Sequence, residues 1–273
     1  MRCTVLCNEL IMIQHKSRFA CSIVVLIVSC DRYADLWQLQ AAALAKFWPD
    51  CPYEKILITN SRNPEISGLK VLRLGEDRGW SANLIEALKQ LECMYVLIWI
   101  DDIILLEPVD QRKLDSVLAE FDNRQGNCLR LIGPSGLVST PRCAGSLFLE
   151  PSGGAYRVST VVTVWRRSIL LELLNPAETA WEFEISGSRR ADAIGGFYSS
   201  RRRLVRIVNT VVRGLWSGYA LRKIVKNVDP DYIPQRRSMA IGGEIVYQLR
   251  LMLSKCWRLV PVNFSRRLRD VVK

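Results

Sequence analysis

The stretch "VLIWIDDIILLEP" (residues 96–108) sets two carboxylates, Asp101 and Asp102, between two unbroken apolar runs, Val96–Ile100 and Ile103–Leu106. Short apolar runs rich in β-branched residues read as buried strand. An ionised carboxylate buried without a partner costs several kcal/mol, comparable to the whole stability of many domains. At the end of a strand both side chains can turn outward. There, one or two carboxylates together with substrate phosphates are enough to hold Mg²⁺. Aspartate is also common in ordinary turns, so the pair alone leaves both readings open.

Working outward, "CSIVVLIVSCDRY" (21–33) reads as a strand running into a polar turn, and "DLWQLQAAALAKFWP" (35–49) as a helix that Pro49 stops. "EKILITN" (54–60) and "GLKVLRLGED" (68–77) read as two further strands, and "SANLIEALKQL" (81–91) as a helix with Ser81 at its N-cap. "YVLIWIDDIILL" (95–106) is then a fourth strand, and "VDQRKLDSVLAEFD" (109–122) another helix. Strands alternating with helices predict an α/β domain around a mostly parallel sheet. In such sheets ligands bind beyond the carboxyl ends of the strands. The polar residues there are Asp31, Arg32, Thr59, Asn60, Asp77, Arg78, Asp101 and Asp102. No GxGxxG follows a strand and no GxxxxGK[ST] is present, which disfavours a Rossmann dinucleotide site and a P-loop.

After residue 125 the pattern loosens into a Gly-, Pro- and Ser-rich segment. "VVTVWRRSILLELL" (161–174) predicts a strand entering a helix, and "RLVRIVNTVVRGLWS" (203–217) an extended segment broken at Gly214. "AWEFE" (180–184) places Glu182 and Glu184 around Trp181 and Phe183. The two glutamates share a face if the segment is a strand and diverge if it is a helical turn. "GGEIVYQLRLMLSKCWRLV" (242–260) returns to helical spacing. The expected organisation is an N-terminal extension (1–20), a first half (21–125), a second half (126–217) and a basic helical C-terminal extension (218–273).

Charge is distributed unevenly. Residues 199–273 carry 17 Lys/Arg against 4 Asp/Glu, while residues 1–198 carry 21 against 23, so the whole excess of +11 lies in the C-terminal quarter. Such asymmetry suggests an anionic surface as partner, membrane phospholipid or nucleic acid, or else a solvated basic face. The nine cysteines are scattered and odd in number, with no CxxC, and the single histidine is His15. A disulfide framework and a Cys/His zinc site are therefore poorly supported, and reduced thiols in a cytoplasmic protein are expected. The strongest apolar windows are far shorter than the roughly 20 residues needed to span a bilayer. The run after Lys16 and Arg18 ends on Asp31 and Arg32 with no small-residue cleavage pattern, and reads as a first strand.

The ordered set "SCDRY", "ITN", "GEDRGWSANLIEAL" and "WIDDI" resembles the nucleotide-sugar half of GT-A fold glycosyltransferases of bacterial polysaccharide and lipopolysaccharide synthesis. "YRVSTVVTVWRRSILLELLNPAETAWEFE" resembles their acceptor half, so that the likeness covers roughly residues 22–225. The resemblance implies a GT-A-like sheet flanked by helices, a nucleotide-sugar donor, a glycan or lipid-linked acceptor and a divalent cation, Mn²⁺ or Mg²⁺. Donor contacts would come from Ser29, Asp31, Arg32, Asn60, Asp77, Arg78, Ser81, Asn83 and Asp101. Asp102 would be the metal ligand, in the slot of a DxD motif whose first position is here Ile100. Many metal-dependent members add a late histidine, which this sequence lacks, so Arg78, Arg189 or Arg190 could instead stabilise the leaving diphosphate. Glu184 is the expected general base of an inverting transfer, Glu182 a sugar-hydroxyl ligand or helix cap, and Trp181 an apolar platform for a sugar ring. A cytoplasmic enzyme, peripheral on the inner face of the plasma membrane through its basic tail, would suit a lipid-linked acceptor.

Three other readings compete, one of them a catalytically dead scaffold, given the incomplete metal motif with Ile100 in its first position. A sugar nucleotidyltransferase usually carries a Gly-rich basic loop after the first strand, and "SCDRYADLW" lacks the glycines. A nucleic-acid-binding protein could use Trp216, Tyr219, Tyr247 and Trp257 among the C-terminal charges, but would leave the acidic strand ends unexplained.

Overall fold

The computed structural model describes residues 23–134, 145–154 and 156–257. The N-terminal extension expected over 1–20 and the last part of the basic tail lie outside these.

Ile23–Val28 forms β1, which leads through a 3₁₀ turn, Asp31–Leu36, into α1, Trp37–Phe47. Then come β2 (Glu54–Thr59), β3 (Lys70–Arg73), α2 (Trp80–Lys89), β4 (Tyr95–Ile100), β5 (Ile103–Leu105) and α3 (Gln111–Asn123). The second half contributes β6 (Cys128–Arg130), β7 (Leu147–Leu149), β8 (Thr163–Arg166) and α4 (Arg167–Leu173). After a helical stretch over residues 180–193 follow β9 (Phe197–Ser200), β10 (Ile207–Asn209), β11 (Val211–Val212) and β12 (Leu215–Trp216). The chain continues as α5 (Gly218–Val225) and α6 (Ile241–Trp257).

One eight-stranded sheet runs β3-β2-β1-β4-β8-β6-β9-β7 through both halves. Its first four strands are parallel, β8 lies antiparallel between β4 and β6, β9 is parallel to β6, and β7 closes the edge antiparallel to β9. The expected α/β architecture with a mostly parallel sheet is thus the one found.

The unbroken apolar runs have a simple cause, since a parallel sheet covered on both faces buries every residue of its strands. Val25, Ile27, Leu57, Leu97 and Trp99 pack with α1 and α3 in one cluster. Their neighbours Leu26, Val28, Ile56, Ile58, Val96 and Ile98 pack with α2 and α4 in another.

The expectation of one continuous strand from Tyr95 to Leu106 needs correction. β4 stops at Ile100, Asp101 and Asp102 form a turn, and β5 departs to pair antiparallel with β10 in a separate two-stranded sheet. The Asp101 N–H still bonds the Val28 carbonyl at 3.3 Å, so the ladder with β1 ends on the first aspartate. On the far side the Asp102 carbonyl accepts from both the N–H (2.8 Å) and the hydroxyl (2.9 Å) of Thr210. The acidic pair is therefore a hinge between two sheets.

Candidate active site

The site assembles at the carboxyl ends of β1, β2 and β4. Asp31 ties the first two together: its carboxylate accepts from the backbone N–H groups of Asn60 (3.0 Å), Ser61 (2.9 Å) and Arg62 (3.1 Å). In return the Asn60 side-chain oxygen accepts from the Asp31 N–H at 3.1 Å. Burial pushes the Asp31 carboxyl up, but those N–H groups more than offset it and hold the group below the usual range. Asp31 is thus a clip between two strand ends. The Asn60 amide nitrogen is buried and has no hydrogen-bond partner among the described residues.

Asp101 lies in the floor of the site, with 5% of its surface exposed. The Ser29 hydroxyl donates to its Oδ2 at 2.5 Å, and the Trp37 indole N–H donates to the Ser29 oxygen at 2.6 Å. The chain Trp37–Ser29–Asp101 fixes the β4 end against the β1 end. Burial, then the neighbouring charge of Asp102, pushes Asp101 up to about 8, against which the Ser29 bond acts. Asp102 is half-buried and is also raised, again mainly by burial. Neither aspartate has an ion-pair partner within 4 Å among the described residues. Two adjacent oxygen-donor side chains short of positive charge fit a hard divalent cation, which takes one or two carboxylates and completes its shell with phosphate oxygens and water.

The loop between β3 and α2 supplies the next wall. Gly79, at φ +93°, is the N-cap of α2, so the helix starts one residue before the expected Ser81 cap. Ser81 sits fully buried inside the first turn, and its hydroxyl has no partner. Asn83 is a loop brace: its Oδ1 accepts from the Arg78 N–H at 3.1 Å, and its Nδ2 donates to Asp77 at 2.8 Å. Asp77 and Arg78 do not pair with each other. Asp77 faces Arg32 at 3.7 Å across the site mouth, and Arg78 faces Glu86 at 3.8 Å.

The opposite wall comes from residues 158–190. "AWEFE" is helical, turning from Ala180–Glu182 into a π-helical turn, Phe183–Gly187, so the two glutamates diverge. Glu182 forms a reciprocal capping box with Thr179, and those hydrogen bonds hold its carboxyl below the usual range. Glu184 turns inward, and its Oε1 accepts from the N–H (2.7 Å) and hydroxyl (3.0 Å) of Thr160. Among the described residues its Oε2 has no hydrogen-bond partner. β8 begins at Thr163, opposite Ile98 of β4, so the Thr160 segment that holds Glu184 leaves the sheet at the same end at which β4 runs into Asp101. Phe183 is buried between Trp80, at 5.8 Å between ring centroids, and Trp165, at 6.3 Å. Trp181 is 80% exposed. The Arg190 guanidinium is committed elsewhere, to both oxygens of Glu178 (2.7 and 2.6 Å) and to the Leu173 carbonyl.

Several residues at the site went unmarked in the sequence. Arg236 reaches back to form a bidentate pair with Asp35, at 2.8 and 2.5 Å, and lies 5.1 Å over the Tyr33 ring. Its charge lowers the pKa of both Asp101 and Asp102. Tyr33 and Tyr247 are raised by burial and then by the carboxylates, Tyr33 by both and Tyr247 by Asp102, which places both rings near the acidic turn. Charge alone could not select Arg236 from the 17 basic residues of its quarter.

The parallel β3-β2-β1-β4 half, extended by mixed strands and carrying an acidic turn at the end of β4, is the α/β arrangement with a mostly parallel sheet. No family model matches the sequence, and no curated protein matches it either. Among solved structures, S. aureus TarS 1–349 aligns at 15% identity over 66% of this chain and 60% of its own, with a TM-score of 0.41. This chain spans only 38% of the longer TarS structure. The mannosyltransferase PcManGT from Pyrobaculum calidifontis, in complex with GDP-Man and Mn²⁺, aligns at 11% identity over 92% of this chain and 75% of its own, TM-score 0.47. The UTP-bound UGPase from Acinetobacter baumannii aligns at 10% identity over 85% and 98%, TM-score 0.46.

Proposed function

We propose that this chain is a glycosyltransferase that moves a sugar from a nucleotide-diphosphate donor to a hydroxyl of a glycan or lipid-linked acceptor, with inversion. What supports the reading is that the acidic turn and the segment holding Glu184 leave the paired strands β4 and β8 at the same end of the sheet. Asp101 and Asp102 follow β4, and Glu184, on the π-helical turn, is held through Oε1 to the Thr160 segment that precedes β8.

Each group has a distinct task. Asn60 Nδ2 and Ser81 Oγ, buried without partners, are suited to hydrogen-bond the nucleotide, because an unmet buried donor costs about 1–3 kcal/mol until a ligand satisfies it. Ser29, Asp31 and Asp101 shape the donor slot, with Asp77, Asn83, Arg32 and Arg78 at its mouth. Asp102 would hold a divalent cation, with Asp101 behind it. When bound, such an ion neutralises charge on the departing diphosphate. Glu184 takes the proton of the acceptor hydroxyl as its oxygen attacks the anomeric carbon and the bond to the diphosphate breaks. Trp181 offers an exposed apolar face for an acceptor ring. The rival sugar nucleotidyltransferase is less well supported, because β1 leads directly into the Asp31–Leu36 turn, which contains no glycine to wrap a triphosphate.

Thermal unfolding with a panel of nucleoside diphosphates, with and without Mn²⁺ or Mg²⁺, tests the donor site. Ligand at about 100 times Kd stabilises by about 2.7 kcal/mol. A metal-dependent rise with one nucleotide, abolished in Asp102→Asn, is expected. Absence of a shift with every nucleotide would overturn the reading.

A further inference from the structure

We propose that the outward face of α6 is a docking surface for an anionic lipid bilayer. This goes beyond the donor chemistry and does not depend on it.

One side of α6 is spoken for. Glu244 accepts from the Ser217 hydroxyl (3.0 Å), the Gly218 N–H (2.9 Å) and the Gln248 side chain (2.8 Å), which ties α6 to the start of α5. Tyr247 is partly buried on the same side. The other side is apolar and bare. Ile241 (82% exposed), Ile245, Leu249 and Met252 (62% exposed) recur at the i, i+4, i+8, i+11 spacing that aligns side chains along a helix, and the half-exposed Val246 widens the stripe. An exposed apolar stripe on a soluble surface marks an interaction site more often than a solvated face.

Charge decides the occupant. The stripe lies in the segment with 17 Lys/Arg against 4 Asp/Glu. On α5, tied to α6 through Glu244, Arg222 is exposed and Lys226 caps the helix end in solvent. An exposed apolar helical face in a strongly basic segment is the chemistry that lies in the headgroup region of anionic bilayers. Nucleic acid would reward stacking aromatics, whereas this stripe is aliphatic. A bilayer span is not at issue: among the described residues, no helix is long and apolar enough to cross a membrane.

Flotation of the full chain with phosphatidylcholine vesicles, with and without phosphatidylglycerol, tests the surface. Binding to the anionic vesicles only is expected. A triple variant, Ile245→Ser, Leu249→Ser and Met252→Ser, should lower that binding about tenfold or more. The charge variant Arg222→Glu with Lys226→Glu should weaken it and remove its salt dependence. All five side chains are outside the core, so both variants should keep the parent melting temperature and nucleotide response. Equal binding to neutral vesicles, no binding to either, or full binding by the triple variant would overturn the proposal. So would a dimer that the triple variant dissociates, which would give the stripe to a second copy, or a triple variant that loses binding to DNA rather than to vesicles.

Discussion

Replacing Ser29 with alanine removes one hydroxyl and breaks two hydrogen bonds at the base of the site. Ser29 is buried, gives its proton to Asp101 at 2.5 Å, and accepts from the Trp37 indole at 2.6 Å. The alanine methyl fits without collision, so the effect isolates hydrogen bonding from packing. It strands the indole N–H of Trp37, itself 2% exposed, and withdraws the one side-chain donor to Asp101. A buried polar group left unmatched costs about 1–3 kcal/mol, so the pair predicts a loss of about 2–6 kcal/mol. At about 2–4 °C per kcal/mol for a chain of this class, the melting temperature should fall by roughly 4–24 °C. Thermal unfolding followed by circular dichroism measures the fall. Adding Trp37→Phe to Ser29→Ala removes the orphaned donor and should recover part of the loss, a coupling that a double-mutant cycle reads directly. A melting temperature within about 2 °C of the parent, with no coupling in the cycle, would refute the account of this triad.

Other expectations concern the catalytic wall, pH and packing. Glu184→Gln should cut turnover by about 100-fold or more while leaving donor affinity near normal, whereas Glu182→Gln should leave turnover nearly unchanged because Glu182 is held in its capping box; paired kinetics and nucleotide titration separate the two. Asp101 has a folded pKa near 8, above the unfolded value of about 3.9, so its protonated form stabilises the fold fully below that lower value and the contribution is lost as pH rises through the upper one. Urea unfolding of the ligand-free chain should therefore show Asp101→Asn gaining on the parent as pH increases across that window; a constant difference would count against a buried, raised carboxyl. Gly126→Ala would drive a methyl into the buried Phe121 ring and should cost about 1–3 kcal/mol in chemical denaturation, with donor binding retained.

The parallel half of the fold was legible because its physics is local. Strands buried on both faces write themselves as apolar runs, and the helices between them show their own period, so β1, β2, β4 and α1 to α3 could be read from the chain. The polar residues at the strand ends followed from the same order. What stayed hidden depends on pairings between distant residues. Nothing near "WIDDI" reveals that β5 leaves the main sheet, because its partner β10 lies about a hundred residues on. The expected Ser81 cap gave way to Gly79, whose left-handed φ suits the tight entry to α2. "AWEFE" was ambiguous between strand and helix, and the Thr179–Glu182 capping box settled it as helix, sending the two glutamates different ways. Arg236 joins Asp35 across 201 residues, a closure that no window of sequence contains.

That long reach has a consequence for how the protein is made. The carbonyl of Asp102 is anchored by Thr210, 108 residues downstream. A ribosome adding about 5–20 residues per second needs roughly 5–20 s to cover that distance. Until then the nascent chain can hold its first four strands, but the acidic turn lacks the anchor that sets its exit. If the proposed donor site is real, nucleotide binding on a stalled ribosome should therefore switch on late, once β10 and Thr210 have cleared the exit tunnel, so that the protein's own synthesis times the completion of that site.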